Sequence, residues 1–79
     1  SINWREADGI DSKEVSEIVA KNVNRADLKR HDSQRGQIQL VFFIDIDSEQ
    51  SVYNITELLK AKHHSIEASF IDQSRVPGI

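Results

Sequence analysis

The sequence contains no cysteine and no methionine, one proline and three glycines among its 79 residues. Without cysteine there is no disulfide framework, no thiolate metal site and no thiol nucleophile, a pattern that fits a reducing compartment. Three scattered glycines do not make a phosphate-cradling loop. No run approaches the ~20 apolar residues that cross a bilayer, and no basic-then-apolar leader is seen. The missing methionine and the abrupt start Ser1-Ile2-Asn3-Trp4 predict a piece of a larger protein, with any targeting or membrane signal outside it. Ten basic residues against thirteen acidic ones give a net charge of −3, too acidic overall for a general nucleic-acid binder.

What is present describes a globular domain. Apolar residues make up 38% and charged residues 29%, which excludes a disordered chain. A domain of this size buries only about 60% of its unfolded surface, so a self-complementary partner surface would add needed stability. Two stretches begin alike, Ile10-Asp11-Ser12-Lys13-Glu14 and Ile46-Asp47-Ser48-Glu49-Gln50. In each, an Asp is followed three residues later by Glu or Gln, the pattern of a capping box. The first predicts a helix over about residues 12 to 23, with Val15, Ile18, Val19 and Val23 on one face and an Ile10–Val15 hydrophobic staple. The second predicts a helix over Ser48 to Lys62, with an inner stripe of Val52, Ile55, Leu58, Leu59 and the stem of Lys62.

Strands fill the spaces between. Ile2 and Trp4 alternate with Asn3 and Arg5 in a short first strand. Ala26, Leu28 and Arg30 alternate with Asp27, Lys29 and His31, a polar pattern suited to a sheet edge. Asp32-Ser33-Gln34-Arg35-Gly36 supplies turn chemistry for a hairpin. Gln37 to Asp45 is the strongest strand, with Ile38, Leu40, Phe42, Ile44 and Ile46 on one face and Gln39, Val41, Phe43 and Asp45 on the other. Its window Leu40 to Ile44 would aggregate if left exposed. Ile66, Ala68 and Phe70 form the last strand, and Asp72 to Ile79 is a tail broken at Pro77-Gly78. The order predicts an α+β fold, a ferredoxin-like βαββαβ two-layer sandwich. Its antiparallel sheet has three or four strands, with two helices on one face, in a single domain over 1–72. That topology puts the first strand in the middle of the sheet. Ile2–Arg5 must therefore extend upstream, or else the sheet has only three strands.

Motifs that would carry chemistry fail on inspection. Asp45, Asp47 and Glu49 open like a calcium loop, but Gln50 stands where glycine is needed and Thr56 where a chelating Glu belongs. A strand-end Asp45 and a helix-capping Asp47 explain them better. His31, His63 and His64 do not share a ligand sphere, and the last two suit a helix C-terminus. Arg35-Gly36-Gln37-Ile38-Gln39-Leu40-Val41-Phe42 follows the RNA-recognition-motif signature, except that glutamines replace the stacking aromatics, so no nucleic-acid partner is expected. Asn54-Ile55-Thr56 is a sequon by chance inside a helix. Neither a Ser-His-Asp set nor paired carboxylates can be argued. Thus no catalytic residue, no cofactor and no metal is assigned, and the chain reads as a non-enzyme.

Two surfaces stand out. Gln39, Val41 and Phe43 leave the second sheet face partly apolar, a candidate partner surface that a second copy, another domain or a tail would cover. Lys21, Arg25, Lys29, Arg30 and Arg35 form a basic stretch opposed only by Asp27 and Asp32. It reads either as a solvated edge strand with gatekeeper charges or as a patch facing an anionic membrane or phosphate.

The hairpin Arg25 to Asp45, the strand Ile38-Gln39-Leu40-Val41-Phe42-Phe43-Ile44, the helix around Ile55-Thr56-Glu57-Leu58-Leu59 and the strand Ser65 to Ile71 carry a family resemblance. From Val15 to Asp72 the chain resembles the ACT-like, ferredoxin-like cytoplasmic C-terminal domains of bacterial integral membrane proteins of the MgtC-like and related uncharacterised families. The resemblance implies a regulatory or assembly domain, a homodimer or a contact with the parent protein, and a tether to the inner face of a bacterial membrane outside this sequence. The alternative it implies is a small-ligand-sensing ACT-type domain. Its candidate ligand site is Gly9, Ile10, Asp11 and Ser12, where ACT domains carry a Gly-rich turn and this chain has Ala7-Asp8-Gly9-Ile10-Asp11. Helix-start amides there would suit an anion.

Overall fold

The first strand decides the architecture, short as it is. In the computed structural model, which describes residues 1–71, the elements run β1 (Ile2–Arg5), α1 (Ser12–Lys21), β2 (Arg25–Gln34), β3 (Gln37–Asp45), α2 (Gln50–Lys62) and β4 (Glu67–Ala68). The four strands form one antiparallel sheet in the order β2-β3-β1-β4. β1 is therefore internal without any extension, pairing Ile2 with Leu40 on one side and with Ala68 on the other. A central place needs only two inward side chains from four residues, and Ile2 and Trp4 are each just 2% exposed. The result is a small α+β sandwich of the ferredoxin-like type, a four-stranded sheet with both helices on one face.

That face holds the core. Ile2, Trp4, Ile38, Leu40 and Ile66 meet Val15 and Val19 of α1 and Ile55 and Leu59 of α2. Burying each of the aliphatic side chains among them contributes roughly 1.5–3 kcal/mol. Ile10, the expected staple residue, packs against the cluster to which Val15 belongs, and the Lys62 amine pairs with Glu14 to tie the two helices together at the rim.

Several boundaries differ from the sequence expectation, each for a local reason. Helix α1 stops at Lys21 and not at Val23, because the Asn22 side-chain amide donates to the Ile18 carbonyl at 2.7 Å and occupies the helix end. The Asp11 carboxylate caps α1 as expected, taking the Lys13 N–H at 2.9 Å. Asp47 does not cap the second helix. Its carboxylate accepts from the Asn24 amide at 2.7 Å, and α2 starts later, at Gln50, whose N–H goes to the Ser48 hydroxyl at 3.1 Å. Leu58 is off the inner stripe and 47% exposed. One residue is a rotation of about 100°, so burying Leu59 turns Leu58 away. The last strand shrinks from Ile66–Phe70 to Glu67–Ala68; at its start the Ile66 N–H closes a turn onto the His63 carbonyl at 3.2 Å. The tail, Asp72 to Ile79, lies outside the described residues.

The hairpin also changes. Asp32, Ser33 and Gln34 are strand rather than turn, and the chain reverses over Arg35 and Gly36 alone. Both have positive φ, 53° and 76°, as a two-residue type I′ hairpin requires. A β-bulge interrupts the register between Leu28 and Arg30. It shifts the side-chain phase of β2, so Arg30 leaves the face of Ala26 and Leu28 and joins that of Asp27.

Candidate functional surface

The open face of the sheet is built from the odd-numbered residues of β3 and their cross-strand partners. Gln37, Gln39, Val41 and Phe43 face Gln34, Asp32, Arg30 and Asp27 on β2, and Asn3 and Arg5 lie opposite Gln39 and Gln37 on β1. Over most of its area this face is polar and internally satisfied. The Asn3 and Gln39 amides both donate to the Ser1 hydroxyl, at 3.1 and 3.2 Å. A shallow recess crosses it, with Asn3, Arg30, Asp32, Arg35, Gln39 and Glu67 in its lining.

The apolar part is confined to one corner. β1 reaches only from Gln37 to Leu40, so Val41 to Asp45 pair on the β2 side alone among the described residues. Phe43, in that half, is 54% exposed. The Lys29 amine, carried by the bulge, lies 5.4 Å from its ring centroid, a cation–π distance. Of the three expected partner-surface residues, then, Gln39 is engaged by Ser1, Val41 is half-buried and Phe43 is presented.

The five expected basic residues are not gathered into one patch. Lys21 ends α1, Arg35 sits in the hairpin turn, and Arg25, Lys29 and Arg30 run along β2. Arg25 pairs with Asp27 at 3.0 Å, and Arg30 pairs with Asp32. Two cations of this edge strand are therefore paired with its own anions, while Lys29 lies over the Phe43 ring.

Gly9 to Ser12 connect the 3-10 turn Glu6–Asp8 to α1. Gly9 takes a left-handed conformation (φ 69°), and its N–H closes the turn onto Glu6. Asp11 fills the helix-start position with its own carboxylate. The open-face recess and a second one beside it, lined by Asn3, Trp4, Arg5, Gln37, Ser65 and Glu67, do not include residues 9–12.

One cluster escaped sequence reasoning. Asp8 and Ser65 come together across 57 positions, with His63 beside them. The Ser65 hydroxyl donates to Asp8 and lies 2.7 Å from His63 Nδ1, while the Ser65 backbone N–H points to the same ring nitrogen at 3.1 Å. The hydroxyl bond holds the Asp8 carboxyl below its usual value; partial burial opposes this, and Arg5 and His63 reinforce it electrostatically. A hydrolytic triad places imidazole between hydroxyl and carboxylate. Here the hydroxyl is in the middle and its one proton goes to the carboxylate, so the set fastens the loop after β1 to the segment before β4. No signal in the sequence marks it. Among the described residues, no three His, Cys, Asp or Glu side chains are placed to hold a metal ion, and His63 stacks on His64 at 4.7 Å.

No family model matches this sequence, and no curated protein or solved structure is significantly similar to it.

Proposed function

We propose that this chain is a non-enzymatic regulatory or assembly domain that works by associating with a second copy of itself through the uncovered side of its sheet. The observation that carries this reading is the one-sided sandwich. Two helices bury one sheet face, while the other presents Phe43 at 54% exposure, next to a ten-residue edge strand with no neighbour on its outer side among the described residues. A chain of this length gains proportionally more from such a contact than a larger domain does.

As part of the same proposal, the domain is cytoplasmic and belongs to a bacterial membrane protein. The support is its resemblance to the MgtC-like and related domains. None of its described helices is long and apolar enough to cross a membrane, so an anchor would belong to another segment.

Sedimentation velocity from low micromolar to near-millimolar concentration tests the association. A reversible monomer–dimer equilibrium is expected. A single monomeric species throughout overturns the reading.

A further inference from the structure

Resting on the reading that this domain belongs to a larger protein, we infer that the chain entering it just before Ser1 lengthens β1 alongside Phe42–Asp45 and fills a lane of the sheet between β3 and the end of β4. β3 and β4 flank β1 and both run antiparallel to it. Both also continue past the point where β1 begins. On one side, β3 runs on from Leu40, opposite Ile2, to Asp45. On the other, the chain passes from Ala68, also opposite Ile2, to Ser69 and on to Ile71, which is 83% exposed. Ser69 N–H donates to the Ser1 carbonyl and the Ser1 amine to the Ser69 carbonyl, each at 2.9 Å, so the Ser1 nitrogen already makes the ladder bond of a strand in this lane. Two strands that share one neighbour stand roughly 9–10 Å apart. The lane therefore admits a single extended segment, and not the edge of another sheet, which brings further strands with it.

The two free edges of the sheet are treated differently. β2 carries a bulge, two ion pairs and Lys29, the devices that discourage pairing with another chain. Along the lane, Val41-Phe42-Phe43-Ile44 has no charge and no proline. An edge this apolar is an aggregation site unless it is occupied.

The backbone pattern specifies how the lane is filled. In an antiparallel pair, directly opposed residues alternate between bonded and unbonded. Glu6 N–H donates to the Gly36 carbonyl at 2.8 Å, which fixes the even-numbered residues of β3 as those that bond toward β1. Phe42 and Ile44 thus aim their N–H and carbonyl groups into the lane, at the first and third residues before Ser1. Those two residues share the phase of Ile2 and Trp4, whose side chains are buried toward the helices, and would lie beside Phe42, Ile44 and Phe70. We expect both to be apolar. The second residue before Ser1 falls opposite Phe43 in an unbonded pair, where side chains approach most closely, and gives that ring a cross-strand neighbour.

Hydrogen exchange followed by NMR tests this on the 79-residue chain and on chains that begin four and eight residues earlier in the parent protein. The Phe42 and Ile44 amides are expected to exchange at least about tenfold more slowly in the longer chains. The Phe43 amide, which points toward β2, serves as the internal reference. Proline at the first and third positions before Ser1 removes the donors and is expected to restore fast exchange without altering the circular dichroism of the domain. Longer chains whose Phe42 and Ile44 amides stay as fast as in the 79-residue chain overturn the inference and leave membership of a larger protein standing. Slow exchange already present in the 79-residue chain also overturns it. Loss of that protection on dilution would identify a second copy as the occupant, and loss on removing residues 72–79 would identify the chain's own tail. A natural chain consisting of these 79 residues alone removes both readings.

Discussion

At Asp8 a hydrogen bond, an opposite charge and a neighbouring imidazole converge on one carboxylate. Each favours the ionised form, and the Ser65 hydroxyl is the strongest of them. The sign of the pH dependence follows. A carboxyl held below its ordinary value of 3.8 stabilises the fold fully above that pH, and the contribution disappears as pH falls through the lowered folded value. Asp8→Asn is therefore expected to lower stability at pH 7. The gap from the original chain should narrow as pH falls through the lowered folded value. Urea unfolding followed by Trp4 fluorescence at pH 7 and through the acid range measures it; a gap of constant size would mean that Asp8 acts through shape and not charge. Residue chemistry read in isolation was informative where the partner is local. Asp11 caps the helix that follows it, using a backbone N–H two positions away. Asp47 has the same local pattern, but Asn24, from a distant part of the chain, takes its carboxylate. Nothing within five residues of Asp47 announces Asn24.

Among the elements, the hairpin is the most specified. Gln34 pairs with Gln37, leaving Arg35 and Gly36 to reverse the chain with positive φ at both positions. Gly36 adopts this without strain, whereas Arg35 bears a cost that Asn would reduce. Arg35→Asn is expected to stabilise the domain by about 0.5 kcal/mol and Gly36→Ala to destabilise it by about 1 kcal/mol. Space is not the issue at Gly36, where an added Cβ would meet nothing within 4 Å, so thermal unfolding of the two variants isolates the backbone term. Helix α2 shows the limit of periodicity. Spacing alone admits both Leu58 and Leu59 to the inner stripe, and packing against α1 and the sheet selects Leu59 with Ile55. The bulge in β2 was likewise invisible. Strict alternation groups Arg30 with Leu28, and only pairing against β3 reveals the phase shift that returns it to Asp27.

For the molecule as a whole, the decisive fact is that, among the described residues, the helices cover only one side of the sheet. Where the other side is polar and satisfied, as around Asn3 and Gln39, solvent is an adequate neighbour. Around Phe43 it is less so, because β1 does not reach that half of β3. The proposed self-association through this side would link folding to concentration. The thermal midpoint is expected to rise by on the order of 5 °C over a hundredfold increase in protein concentration, measured by circular dichroism. A midpoint independent of concentration would uncouple folding from assembly.

The sequence by itself determined the element types and their order, the Asp11 cap, the inward face of β3 and the polar character of β2. All of these rest on interactions between residues a few positions apart, where periodicity and side-chain chemistry act directly. Tertiary structure alone decided that four residues could serve as a central strand. Two buried side chains and a neighbour on each side suffice for that, and neither neighbour is adjacent in sequence. It also decided where Asp47 is spent, how Asp8 meets Ser65, and which of the charges on β2 share a face. Each of these depends on a partner more than twenty positions away or on the register of a neighbouring strand, and no local pattern encodes such a distance.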